Sequence, residues 1–174
     1  MRRVSLNARN ASQDIHSGEV EVALFSIEHP SLETPVRLST DPTERISDAP
    51  MMYATRSRLF GADPQVEPYL FVLASAEVPS DLEDAPAAGS IVLSNVDNRI
   101  AEQLRSFTDR PVVHMAVVLA SSPDLAEVEY RDLRMMSADG DAGEVRIQIS
   151  RAMIEEETIP QFRFTKHRFP GLFS

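Results

Sequence analysis

Polar and apolar positions alternate most cleanly between Glu144 and Ser150. Val145, Ile147 and Ile149 fall on one face of an extended chain, with Glu144, Arg146, Gln148 and Ser150 on the other. A period of two marks a strand with one buried face. The same period runs through Glu19-Val20-Glu21-Val22-Ala23-Leu24 and continues into an apolar run from Phe25 to Ile27. Val112 to Leu119 follows Pro111 and places Val113, Met115, Val117 and Leu119 toward one core. Shorter strands are predicted at Val36-Arg37-Leu38, after the turn at His29-Pro30, at Tyr69 to Leu73 and at Ser90 to Ser94. A longer one spans Glu127 to Met136, and Ala138-Asp139-Gly140-Asp141-Ala142-Gly143 behind it carries a hairpin signal. About seven strands result.

Helical spacing occurs twice. Ala8, Ala11 and Ile15 share a face over Asn7 to Ile15. Ile100, Leu104 and Phe107 form a stripe over Asn98 to Phe107, with the Asp97 carboxylate as N-cap. Twelve prolines between Pro30 and Pro170 break the chain into short pieces and disfavour a helical bundle. Pro79 to Ala88 reads as an exposed acidic loop within one domain, because neither half of the chain has strands enough to close a sheet alone.

Composition narrows the possibilities. With 174 residues, 43% of them hydrophobic and 25% charged, the chain can bury one good core. No apolar run approaches the roughly 20 residues of a membrane helix, and Met1 to Asn7 carries two arginines without the apolar stretch of a secretory signal. Cysteine is absent, which excludes disulfides, thiol catalysis and cysteine-held zinc or iron–sulfur sites. The net charge of −10 argues against a general nucleic-acid binder. Its distribution is uneven: all 27 acidic residues lie between Asp14 and Glu157. Residues 1–10 carry Arg2, Arg3 and Arg9, and residues 158–174 carry Arg163, Lys166 and Arg168, with no acid in either stretch. Basic ends can therefore dock on an acidic body, their own or a neighbour's.

Candidate chemistry is sparse. The four histidines (His16, His29, His114, His167) are far apart in sequence, and none belongs to an H-x-x-x-H or H-E-x-x-H arrangement. His114 reads as a strand residue and His29 as a turn residue. Asp139-Gly140-Asp141 lacks the order and downstream Glu of a calcium loop, so a hairpin turn explains it better. Glu155-Glu156-Glu157 reads as a solvated charge run, and Asp81 with Glu83 or Asp84 sits in a loop without an apolar pocket to shift a pKa. There is no Gly-rich phosphate loop and no G-x-S-x-G elbow. No catalytic residue, metal site or cofactor is expected.

The segment from Phe162 to Ser174 holds four of the eight phenylalanines: Phe162, Phe164, Phe169 and Phe173. Arg168-Phe169-Pro170-Gly171-Leu172-Phe173 sets its aromatics on a Pro-Gly turn, a sticky surface in water unless it folds back or enters a partner's groove. Further motifs precede it: Asn7, Arg9, Asn10 and Ala11; Gly18-Glu19-Val20 leading to Ile27-Glu28-His29-Pro30; and Leu93 through Ile100. Together they resemble a family of phage and prophage proteins of unknown function encoded among the tail-tip genes of long-tailed phages. The most specific element is Arg-Phe-Pro-Gly-Leu-Phe. Thr40 to Pro68 departs from the pattern, which places a strand and an exposed Tyr or Phe there; Tyr53 and Phe60 are the residues in question.

The resemblance implies a structural subunit at the distal end of a non-contractile tail, beside distal-tail, hub and central-fibre proteins. It also implies a small β-barrel or β-sandwich packed around an axis, typically as a homotrimer. The expected architecture is thus mainly β: one hub-like barrel or sandwich over 1–174, one or two short helices, and 158–174 as an extended docking segment. The expected location is the virion tail tip, after synthesis in the bacterial cytoplasm, with neither nucleic acid nor membrane as partner. Phe162, Phe164, Arg168, Phe169, Pro170, Gly171, Leu172 and Phe173 are the expected protein contacts. A tail assembly factor absent from the particle is the alternative. A cell-surface carbohydrate-binding or hydrolytic module is a weaker one, since the chain has no Trp and only three Tyr to form a sugar platform.

Overall fold

A computed structural model describes residues 5–14, 17–77, 88–94, 98–105, 107, 109–140 and 143–150. Ten strands run in chain order: β1 (Glu21–Glu28), β2 (Val36–Ser39), β3 (Glu44–Asp48), β4 (Met51–Thr55), β5 (Tyr69–Phe71), β6 (Leu73–Glu77), β7 (Ala88–Ser94), β8 (Val112–Leu119), β9 (Ser122–Gly140) and β10 (Glu144–Ser150). Two helices, α1 (Leu6–Gln13) and α2 (Asn98–Arg105), and a 3-10 turn at Leu59–Gly61 complete the described elements. The chain is mainly β, as its periodicity predicts.

All ten strands join one mixed sheet in the order β3-β4-β5-β2-β1-β8-β9-β10-β7-β6. Every ladder is antiparallel except β2–β5. The series of ladders is open, so neither the barrel nor the sandwich is established by it. It is nevertheless coiled. β5 and β6 occupy the third and tenth places, yet only Val72 separates them in sequence. In a flat sheet, strands seven places apart would lie about 34 Å from each other. One extended stretch therefore pairs with β2 at its start and with β7 at its end.

The coil surrounds the main core. Phe25 and Ile27 face Leu38 and Val36 of β2 on one side and Met115 and Val113 of β8 on the other. Ile91 and Leu93 of β7 oppose Ile147 and Val145 of β10, and Leu133 and Met135 of β9 join the same cluster. α2 adds Ala101 and Leu104 to it with Ile100 partly buried alongside; the helix ends at Arg105, so Phe107 of the predicted stripe packs against the core from beyond it. The opposite face of β1 and β8 is covered too. Val22, Leu24, Ala116 and Val118 pack beneath Ala62 and Tyr69, with Leu59 and Phe60 alongside. Burial on both faces explains why these strands lose their alternation and read as near-continuous apolar runs.

Three differences separate this fold from the sequence expectation. The hairpin β3–β4 has no counterpart in the periodicity, since Glu44-Arg45-Ile46-Ser47-Asp48 alternates weakly and its residues are mostly exposed. It supplies a strand in the Thr40–Pro68 stretch, with Tyr53 half-buried on β4 and Phe60 half-buried in the turn beyond. The run Tyr69 to Leu73 divides at Val72 and extends to Glu77. The strand expected over Glu127 to Met136 spans Ser122 to Gly140, because register shifts let it follow its neighbours' twist.

α1 begins at Leu6, where Ser5 Oγ accepts from the Ala8 N–H at 3.1 Å, and none of its residues is buried. Its tether is Glu127, whose buried carboxylate accepts the Ser5 N–H at 2.6 Å. Asp97, Ile15 and most of the acidic loop from Pro79 lie outside the described residues.

Gly140 shows how tightly the β9–β10 hairpin is set. It has a φ of +154°, and an added Cβ would collide with the Glu144 carbonyl oxygen and stand 2.9 Å from Val145 Cα. Gly140→Ala is expected to destabilise the fold by about 1–3 kcal/mol, measured by urea denaturation.

Candidate functional site

A row of three polar side chains crosses the outer face of the central strands. Arg37 on β2 pairs with Ser26 on β1, and Ser26 pairs with His114 on β8. Each alternates with core residues, so the same pleat that sends Val36 and Leu38 inward sends Arg37 outward. Outward is not exposed here, because the segment following β4 lies over this face. Ser57 Oγ donates to the Pro123 carbonyl at 2.7 Å, and the Arg58 N–H donates to Asp124 Oδ1 at 2.7 Å. These bonds hold the Leu59–Gly61 turn in place, with Phe60 in the left-handed region at φ 53°, ψ 34°.

Arg37 is the hub of the covered cluster. Its Nε and Nη2 donate to Glu67 Oε2 at 3.2 and 3.0 Å. Nη1 donates to the Phe60 carbonyl at 3.3 Å, the Tyr69 hydroxyl at 3.3 Å and Ser26 Oγ at 3.4 Å. The side chains of Arg37 and Glu67 are 5% and 28% exposed, so the pair is largely withdrawn from water. The Tyr69 hydroxyl in turn donates to the Leu59 carbonyl at 2.6 Å. Burial pushes the Tyr69 pKa above its ordinary 10.0, with the nearby guanidinium opposing part of that rise.

His114 occupies the far end of the row. Between Met115↔Tyr130 and Val113↔Leu133, β9 has two residues, Arg131 and Asp132, opposite one on β8. Asp132 takes up the extra length at φ 58°, and its N–H donates to His114 Nδ1 at 3.1 Å. The ring stacks on Phe60 at 5.3 Å between centroids, while Arg131 lies over the other ring of that pair, 5.1 Å from the Phe60 centroid. Glu28 Oε1 stands 3.8 Å from Nε2. His114 is therefore a satisfied strand residue that sits opposite a β-bulge in β9. His29 is a turn residue whose Nδ1 meets Ser31 at 2.6 Å. Among the described residues, no group of three or more His, Asp or Glu side chains is placed to share a metal ion.

Beside this cluster opens a groove of about 660 Å³, within the range of sites that engulf a ligand. Its apolar walls come from Leu32, Pro35, Val66, Pro68, Leu70 and Ile100. Arg37 and Glu67 lie on its lining, and Glu33 adds a second carboxylate. Three separate pieces of chain build it: the β1–β2 connection, the stretch entering β5, and α2. No periodicity could reveal such a groove, since its residues come from loops, two strands and a helix face that the coil of the sheet brings together. The isolated Arg in Val36-Arg37-Leu38 is the one sequence signal, and it reads equally well as a solvated strand residue.

The contact residues expected from the sequence, Phe162, Phe164, Arg168, Phe169, Pro170, Gly171, Leu172 and Phe173, lie outside the described residues, as do Glu155-Glu156-Glu157 and Asp81 with its neighbours. No protein-family model and no curated protein matches the chain.

Two outcomes test the cluster. Glu67→Ala leaves the Arg37 guanidinium inside without its charge partner, and should cost about 3 kcal/mol in urea denaturation. Because the Tyr69 pKa is raised on folding, the unfolded chain ionises first as pH climbs past 10.0, and stability falls from there through the folded-state value. Tyr69→Phe should flatten that alkaline loss while lowering stability near neutrality by about 1 kcal/mol.

Proposed function

We propose that this chain is a structural component of the distal tail tip of a long-tailed bacteriophage or phage-like particle, assembling through protein–protein contacts as a ring. The observation that carries the reading is the series of motifs from Asn7 to Phe173, above all Arg168-Phe169-Pro170-Gly171-Leu172-Phe173. A mainly-β chain with one continuous coiled sheet suits a subunit packed around an axis, and a small barrel or sandwich is the form proposed for it there. Its charge division suits the same role. Ring contacts are heterologous, so each subunit needs two different complementary surfaces, and an acidic body facing basic segments supplies such a pair. The polar cluster around Arg37 fits a scaffold as well, since its donors are used in holding one layer to another.

In this reading Phe169, Leu172 and Phe173 are buried in the assembled particle, each giving roughly 1.5–3 kcal/mol before ordering costs. Quantitative mass spectrometry of purified particles, referred to the tail-tube subunit, is the test. A few copies per particle in a multiple of three is the expected result, with loss of incorporation when Phe169, Leu172 and Phe173 are all changed to Ser. Absence from particles that require the gene would overturn the reading in favour of an assembly factor.

A further inference from the structure

The groove between the β1–β2 connection, the entry to β5 and α2 has no occupant among the described residues, and its walls are mostly apolar with a carboxylate rim. Val66 on that rim is 75% exposed, so its side chain is open to an incoming apolar group. Glu33 is exposed and makes no ion pair among the described residues, while Glu67 already balances Arg37. The site therefore asks for a ligand that brings apolar side chains and one extra positive charge.

We propose that the groove is the seat of this chain's own segment Arg168-Phe169-Pro170-Gly171-Leu172-Phe173. Chemistry matches first: Phe169, Pro170, Leu172 and Phe173 face walls of Leu32, Pro35, Val66, Pro68, Leu70 and Ile100, and Arg168 meets Glu33. The segment lies in the stretch 158–174, which carries three basic residues and no acid.

Geometry matches second. β10 ends at Ser150, which is level with Arg134; Arg134 is level with Val112, and Val112 with Glu28. The β1–β2 connection that lines the groove starts directly after Glu28, so the last described residue of β10 lies at the groove's own end of the sheet. From β10 to β2 is four strand spacings, about 19 Å along the sheet. Residues 151–167 can span up to about 55 Å when extended. A tethered segment within such easy reach meets its groove at a far higher effective concentration than one from a neighbouring copy. The inference concerns the isolated chain and does not depend on the tail-tip reading.

Because the protein has no cysteine, disulfide trapping in the full-length purified chain is a direct test. The double variant Val66→Cys with Leu172→Cys should close a disulfide within one chain, seen as a monomer of altered mobility on a non-reducing gel. It should do so at least about tenfold faster than Leu125→Cys with Leu172→Cys. Leu125 is also exposed but lies near the start of β9, beside the β8–β9 turn at the other end of the sheet. Reversing the rim charge in the triple variant Val66→Cys, Leu172→Cys and Glu33→Lys should slow closure, with circular dichroism confirming that the fold is kept. Equal rates for the two cysteine pairs would overturn the proposal. So would a disulfide found only between chains, which would assign the groove to a neighbouring copy's segment. Either failure leaves the copy-number test of the tail-tip reading untouched, and a failed copy-number test leaves this one standing.

Discussion

Everything else hangs on the ladder between β1 and β8. Its eight rungs run from Glu21↔Leu119 to Glu28↔Val112 at the middle of the sheet, and apolar side chains are buried on both of its faces. One face meets β10, β7 and α2 across the main core. The other supports the covering segment with Tyr69 and Ala62. A one-residue slip in this ladder would bring Leu24 and Ser26 inward in place of Phe25 and Ile27 if β1 moved, or place His114 in the main core if β8 moved. The hydrophobic pattern alone resists that slip weakly, because both faces are apolar. The polar row resists it strongly.

That row supplies register where apolar contacts are indifferent. Arg37, Ser26 and His114 have partners only on the outer face, where the Phe60 carbonyl, the Tyr69 hydroxyl and the Asp132 N–H await them. Buried polar groups are costly unless paired, so only one register satisfies all three. The same bonds seat the Leu59–Gly61 turn and shape one wall of the groove. Specificity of pairing and the shape of the candidate site thus share a single set of hydrogen bonds.

How far this could be read from the sequence depends on the element. β10 alternates because one face is buried and the other is wet, and its predicted bounds hold. β1, β8 and α2 are legible for related reasons, with Leu104 and Ile100 on the inner face of α2 as spacing demands. β3 and β4 are not, since a hairpin whose first strand is mostly exposed and whose alternation is weak leaves no periodic trace. β6 hides for the same reason, with Ala74, Ser75 and Ala76 small and mostly wet. The groove is illegible in principle, because Leu32, Val66 and Ile100 belong to separate pieces of chain that only the coil of the sheet brings together. What the sequence does display is the segment whose composition complements it.

The central ladder also has a temporal side. Phe25 and Met115 sit opposite each other while lying ninety positions apart in the chain. The ladder that organises the molecule is among those closing the longest loops, so it gains nothing until most of the chain has been made and gathered. The β8–β9 and β9–β10 hairpins are local by comparison and can pair as soon as their turns form. This order makes the carboxyl-terminal hairpins the natural template on which β1, and then the Arg37 cluster, come to rest. Until that docking is complete, both apolar faces of β1 are open to neighbours, and crowded synthesis of many copies meets its greatest hazard of misassembly in that interval.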